Sequence, residues 1–456
     1  MIKETVIDRF AEALKNDCGA IFVGSGISYE STEVDWFKLL EPLTNELDIK
    51  INEYDELPLI AQYIVNQYSG NRGPLIHQIS KAFNKKFSIN DYHKALATTK
   101  LGSVWTTNYD TLLETAFLEF LVDVKVNDDA ITRNVHNSEI EIIKMHGCIS
   151  RSHHNEITIT QEDYEDFLVN KPAISQRLCN DLIKKSFLFI GYSYRDPNIR
   201  NIMVAARRLT NKSTQEHYLI LKRAKDSDPL KTKEKARRQE LWCTDLKRLG
   251  ISTLLIDNYD ELKEILISIS QRSRGKTVYI TGSHENGGDQ TARGLGALLA
   301  KEKDVILMSG QSSGIGSHAV SAFAEACVEN KVDVNDRMRI FANPYAANPR
   351  FSNDLSLLPQ LKKYRAKLLN STQVVIVFSG KKGTEAELEV AINRNCKIIP
   401  AIVNAEDRDN DVIKQILEND SIMQKIKESD GDYYNKLLTG TVTTEDIFKC
   451  LMKLLK

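Results

Sequence analysis

Short apolar runs rich in β-branched residues recur along the chain, and longer stretches with the period of an amphipathic helix separate them. A strand buried on both faces reads as a continuous apolar run, and a parallel partner can be reached only by a long crossover. The alternation therefore constrains the chain to parallel sheets covered by helices on both faces. The class is α/β, built as two Rossmann-like domains with mainly parallel sheets. In the first half the pattern predicts strands at 19–23, 103–106, 142–145, 187–190, 218–221 and 253–256, with helical segments such as 58–68, 174–185 and 231–249 between them.

A chain of 456 residues has room for about two to four domains. Around 270–276 (SQRSRGK) the apolar pattern lapses into polar and charged residues, and a new strand follows with its own glycine turn. That places a larger domain at 1–272 and a smaller one at 275–456, with strands predicted at 277–281, 305–308, 339–342, 374–378 and 397–401.

Composition narrows the function. Apolar residues are 42% and charged residues 27% of the chain, which is ordinary globular usage and excludes a disordered or collagen-like polymer. The formal charge is about −2 for 1–274 and +1 for 275–456, giving the total of −1. Neither half has the basic excess that nucleic-acid binders use to neutralise phosphates, so no nucleic acid is expected as a partner. The one local exception is 361–370 (LKKYRAKLLN), which can equally be a solvated helix face. No apolar run approaches a membrane span, and the N-terminus lacks an apolar signal core, so a cytoplasmic protein without membrane contact is expected. Seven scattered cysteines with no C-x-x-C pair support neither a disulfide framework nor a metal site.

Residues 20–28 read AIFVGSGIS, a buried strand running into Gly24, Ser25 and Gly26. Such a turn can bring backbone N–H groups to a phosphate, or can simply join strand to helix. It is not the dehydrogenase fingerprint, because Ser28 follows and no third glycine opens a helix. Two further strands end in polar residues, at WTTNYD (105–110) and KMHGC (144–148), and a fourth ends in Gly191-Tyr192-Ser193 before Arg195-Asp196-Pro197. Ligands of open parallel sheets bind outside the carboxyl ends of the strands, so Gly24, Asn108 and His146 can meet in one crevice. Each also has a plain alternative: Asn108 as a helix cap, His146 as a satisfied strand-end histidine, Asp196-Pro197 as a turn.

In this order and spacing, GSGIS, TTNYD, HG and GYS resemble the NAD-binding core of the sirtuin family over about residues 1–270, and 34–40 and 256–266 resemble its bacterial sirtuin-like branch. The resemblance implies NAD as substrate. Protein-deacylating sirtuins carry a four-cysteine zinc module after the catalytic histidine, whereas this region holds only Cys148 and Cys179. Water is then the simplest acceptor, which implies NAD glycohydrolysis without a metal. On that reading Asn108 holds a ribose hydroxyl or the attacking water, His146 is the general base, and Asp110 orients them. Gly24, Ser25, Gly26 and Ser28 face the pyrophosphate, Ser193 the adenine-side ribose, and Asp196 belongs to the same NAD-binding set.

The second half repeats the logic with VYITGS (278–283), LMSGQSSGIG (307–316) and VVIVFSGKKGTEAE (374–387). G-T-x-x-E can also be a capping box closed by Thr384 and Glu387. With Tyr364-Arg365-Ala366-Lys367 upstream, these segments resemble the SLOG superfamily, which includes nucleotide-binding proteins and phosphoribohydrolases. Those enzymes usually show P-G-G-x-G-T-x-x-E, and 379–384 (SGKKGT) lacks the proline and one glycine. The resemblance then implies a sensor. Arg350, Arg365, Lys367 and Lys382 would supply charge for a diphosphate, Gly282 and Ser283 backbone contact, and Glu385 or Glu387 a ribose hydroxyl.

A sirtuin-like half followed by a SLOG half resembles the effectors of the Thoeris antiphage system. That implies NAD depletion switched on by a cyclic ADP-ribose isomer, itself made by a TIR-domain partner protein, in a homo-oligomer such as a tetramer or filament. The competing readings are a non-catalytic adenine-nucleotide-binding assembly module and an enzymatic SLOG half releasing base from nucleotides.

Overall fold

The computed structural model describes residues 2–455 apart from 53–54, 194–195, 212–214, 284–287 and 347–354. The chain divides into two units, Met1–Ser273 and Arg274–Lys456. Each is built on one parallel sheet.

In the first unit the strands are β1 (Gly19–Val23), β2 (Ser103–Thr106), β3 (Val122–Lys125), β4 (Ile140–Lys144), β5 (Ser186–Ile190), β6 (His217–Lys222) and β7 (Ile251–Ile256). They lie side by side in the order β3-β4-β2-β1-β5-β6-β7. Successive side chains of a strand point to opposite faces, and the core divides accordingly. Ile21, Val23, Val104, Ile142, Leu188 and Ile190 join one buried cluster with the helices Lys3–Lys15, Asp91–Ala97 and Asp260–Ser273. Ala20, Phe22, Trp105, Ile143, Phe187 and Phe189 join another with the helices Pro172–Lys184 and Pro197–Leu209. A third cluster, from Leu39, Ile60, Ile64, Leu75 and Ile79 to Tyr109 and Ile157, forms a separate helical layer.

The predicted α/β class holds, and the apolar runs of the first half all become strands. The edge strand β3 was not predicted. Its apolar residues Val122 and Val124 are only partly buried, while Asp123 and Lys125 point inward and pair at 2.7 Å. A strand whose inward residues are charged carries no apolar run to read.

In the second unit β8 (Thr277–Thr281), β9 (Ile306–Ser309), β10 (Met338–Ile340), β11 (Val374–Val377) and β12 (Lys397–Pro400) lie in the order β10-β9-β8-β11-β12, all parallel. All five were predicted to within a residue or two. In both sheets the chain leaves the first strand toward one side and later returns on the other, so β1 and β8 stand at the topological switch point where ligands of this fold class bind. Arg274 opens the second unit fully buried, its guanidinium donating to the carbonyls of Thr372 at 2.8 Å and Arg394 at 2.5 Å.

The helices Asp289–Lys301 and Ile315–Glu329 approach closely enough that a Cβ on Gly296 would lie 2.1 Å from the Ala319 carbonyl oxygen. Gly296→Val is expected to force the two backbones apart and cost about 1–3 kcal/mol. Calorimetry should then show the unfolding transition of this unit lowered by several degrees; an unchanged midpoint would show that the helices part freely.

Candidate active site and candidate signal site

Register fixes the site of the first unit. Val23 pairs with both Thr106 and Ile190, and Thr106 pairs with Lys144, so β1, β2, β4 and β5 end level with one another. The residues that follow, Gly24, Asn108, His146 and Gly191, leave the sheet at one edge.

The turn after β1 is held by the turn after β5. Gly24 N–H donates to the Ile190 carbonyl and Gly26 N–H to the Gly191 carbonyl, both at 2.9 Å. A Cβ on Gly24 would lie 2.4 Å from the Gly191 oxygen, and one on Gly191, whose φ is +58°, would lie 2.6 Å from Ile27 N. Glycine is needed at these positions because two backbones touch. Gly24 then caps the helix Ser25–Thr32, with Ser25 and Gly26 exposed and Ser28 buried.

Asn108 is buried and reaches across to that turn. Its backbone N–H donates to Thr106 Oγ1, whose hydroxyl donates to the Val23 carbonyl. Its Nδ2 donates to Ser28 Oγ at 3.1 Å and the Gly24 carbonyl at 3.3 Å, leaving Oδ1 buried without a partner among the described residues. Asn108 caps no helix, since the next begins at Leu112. A buried amide oxygen left open is costly unless something else completes it, so it marks a place for a ligand group. Asp110 Oδ1 accepts the Leu112 N–H at 3.0 Å, so this carboxylate braces its own loop. Asn108, Asp110, Ser25 and Ser28 line one cleft of about 440 Å³ including open solvent, closed by Trp36, Leu39, Phe83 and Tyr109.

His146 is 2% exposed and does not line that cleft. Its ring meets Tyr164 and Phe167 edge to face, with centroids 5.3 and 5.9 Å away. Its Nε2 lies 3.1 Å from Asp196 Oδ2 but makes no aligned hydrogen bond. Asp196 Oδ1 meanwhile caps the helix Pro197–Leu209 through Asn198 N and Ile199 N. Ser193 is exposed, and Arg195 lies outside the described residues.

Three residues escaped the sequence reading. Lys144, buried on β4, pairs with Glu114 at 3.1 Å and also donates to the Asp110 carbonyl. Lys171 donates to the carbonyls of Met145 at 2.8 Å and Glu156 at 2.7 Å, fixing the backbone just before His146; burial pushes its ammonium down to about 8. Asn198 Nδ2 is buried with no partner among the described residues. Isolated lysines carry no motif; the Asp-Pro-Asn run was the only available signal.

In the second unit Gly282, at φ +153°, packs against Phe378, and Ser283 N–H donates to the Ser379 carbonyl at 2.9 Å. Glu387 is buried and accepts from Tyr279 at 3.0 Å and Thr281 at 2.5 Å; burial raises its carboxyl above the usual range, these hydroxyls and the nearby Arg365 offsetting part of the rise. The capping-box alternative therefore fails, since the helix Lys382–Asn393 is capped from Lys381 and Thr384 already lies inside its first turn. Arg365 and Lys367 are half-buried on the helix Leu358–Asn370, with Arg365 Nε unpartnered among the described residues. Lys382 and Glu385 are exposed at the start of their helix, and Arg350 lies outside the described residues. No group of three or more His, Cys, Asp or Glu among the described residues is arranged to hold a metal ion, and no described helix is long and apolar enough to cross a membrane.

Two family models match the chain. Residues 102–246 match the family described as SIR2-like domain, and 261–456 the Sir2- and TIR-associating SLOG family. The chain is 30% identical over 420 residues to a Bacillus cereus (strain MSX-D12) protein named NAD(+) hydrolase ThsA, covering 88% of this chain and 86% of that one. A protein of the same name from Cytobacillus dafuensis is 29% identical over 428 residues, covering 87% and 85%. A Bacillus subtilis protein named Defense-associated sirtuin 2 is 23% identical over 225 residues, 47% of this chain and 22% of that one.

Lys144 ties the Asp110 loop to β4, and its removal would strand the Glu114 carboxylate at a site where Glu114 Oε2 already lacks a partner among the described residues. Lys144→Met is expected to cost about 3–5 kcal/mol. Adding Glu114→Gln should return most of that loss in denaturant titrations; equal losses in the single and double variants would mean the ion pair is not what holds the loop.

Proposed function

The chain belongs to the family of NAD(+) hydrolases named ThsA, and from that membership we propose that it hydrolyses NAD to nicotinamide and ADP-ribose when a cyclic ADP-ribose isomer occupies its second unit. The observation that carries the reading is Asn108 Oδ1, buried without a partner among the described residues, with the buried His146 at the end of the neighbouring strand.

Nicotinamide leaves a cationic ring as a neutral molecule, so the transition state is oxocarbenium-like and depends on positioned polar groups in a dry setting more than on a strong nucleophile. Asn108 suits that role. Its Nδ2 is committed to Ser28 and Gly24, so its Oδ1 has a fixed direction and can accept from a ribose hydroxyl or from water. His146 takes the proton. The turn of Gly24, Ser25 and Gly26 and the exposed Ser193 border the rest of the dinucleotide.

The second unit acts as the sensor. Arg365 and Lys367 meet the signal's phosphates, and Glu387, already hydrogen-bonded by two hydroxyls, lies under the ribose. A TIR-domain partner supplies the signal, and the outcome is NAD depletion in antiphage defence within a homo-oligomer. The kinship to a protein named for defence supports that setting.

Chromatography of NAD turnover, with and without each cyclic ADP-ribose isomer, tests the proposal; NAD that persists under every condition would favour a non-catalytic binding module. His146→Ala and Asn108→Ala should each lower turnover by about 10²- to 10⁴-fold with folding intact. Near-normal turnover in either would remove that residue from the chemistry.

Arg365→Ala should remove a charge-assisted contact worth about 1.5–3 kcal/mol, raising the signal concentration for half-activation roughly 10- to 150-fold. Unchanged activation would move the signal site elsewhere.

A further inference from the structure

The loop after β5 enters the sequence reading as part of the NAD-binding set, yet the structure gives its aspartate a different neighbour. Both carboxylate oxygens of Asp196 face protein groups. Oδ1 caps a helix through Asn198 N at 2.9 Å and Ile199 N at 3.3 Å, and Oδ2 faces His146 Nε2 at 3.1 Å. The two side chains are 7% and 2% exposed, so little water screens the contact. Elsewhere the imidazole meets the edge-to-face rings of Tyr164 and Phe167.

The geometry points to Asp196 as the positioning residue of the catalytic histidine: it holds the Nε2–H of His146, fixes the ring's tautomer, and leaves Nδ1 as the nitrogen that takes the proton. The inference rests on the reading of His146 as general base. A carboxylate beside one imidazole nitrogen selects the tautomer protonated there and stabilises the imidazolium that forms. In the reaction the bond between ribosyl C1 and the nicotinamide nitrogen breaks, and its electron pair leaves with the base and cancels the ring charge. Water oxygen bonds to C1. The water proton passes to Nδ1 of His146 and then to solvent, so NAD⁺ and water give ADP-ribose, nicotinamide and H⁺.

The helix cap keeps Asp196 in place. The helix begins with Pro197, which has no N–H to satisfy, and the next two N–H groups converge on Oδ1, fixing the direction of Oδ2.

Asp196→Asn is the decisive variant, because asparagine caps a helix about as well as aspartate while removing the charge beside His146. In the full chain, with the cyclic ADP-ribose isomer that activates the unsubstituted protein most, kcat should fall about 10²-fold or more while KM for NAD stays within about twofold. Adding His146→Ala should lower kcat no further. A raised KM with kcat unchanged would make Asp196 a substrate ligand and overturn the inference, as would losses that multiply in the double variant. A second measurement needs no variant of Asp196: ¹⁵N spectra of the unsubstituted protein, with the His146 signals assigned by difference from His146→Gln, should show the Nε2–H tautomer, and an Nδ1–H tautomer would overturn it. Normal turnover in His146→Ala would sink the general-base reading and this inference together; an inactive His146→Ala beside an unaffected Asp196→Asn would sink this inference alone.

Discussion

The site of the first unit depends on a contact between two backbone turns. Gly24, Gly26 and Gly191 bring the turns after two adjacent parallel strands into direct contact, with distances that leave no room for a single methyl group. This contact sets where the helix Ser25–Thr32 begins, and so where Ser28 stands to receive the Asn108 amide. It also starts the β5 loop that carries Asp196 toward His146. The site is assembled by fixing the ends of strands, and the side chains with open valences then sit on the most rigid part of the sheet.

The second sheet uses the same device for a different chemistry. A Cβ on Gly314 would fall 2.4 Å from the Gly282 oxygen, and one on Gly316 would fall 2.5 Å from that of Ile280. Here the buried group at the switch point is a carboxyl shared by Tyr279 and Thr281. The first crevice leaves the Asn108 amide oxygen without a partner among the described residues, whereas the second surrounds its acid with hydroxyls.

Much of this was legible in the residues. Parallel strands buried on both faces announce themselves as apolar runs, so eleven of the twelve strands among the described residues could be read, and their carboxyl ends pointed to Asn108 and His146. The roles of single atoms could not be read. Gly24 and Gly26 looked like phosphate contacts, but the protein itself engages their N–H groups through Ile190 and Gly191. Glu387 looked like the end of a capping box, whereas its partners lie on β8, more than a hundred residues earlier. Lys144 and Lys171 were invisible because a lysine is buried only when distant carbonyls and carboxylates happen to surround it, and no local pattern encodes that.

The inward charges of β3 bear on how the protein behaves in crowded solution. This strand forms one margin of the seven-stranded sheet, and a margin exposes a row of backbone groups onto which a neighbouring molecule could add its own strand. Asp123 and Lys125 pair on the inward face, where the Asp123 carboxylate also receives the Val135 N–H and the Lys125 ammonium donates to the Arg133 carbonyl. A slip by one residue would turn both side chains outward, away from these two backbone partners. The margin is thus tied to one alignment by charged side chains bonded to neighbouring backbone, where a run of valines would have been free to slide and to recruit copies of itself.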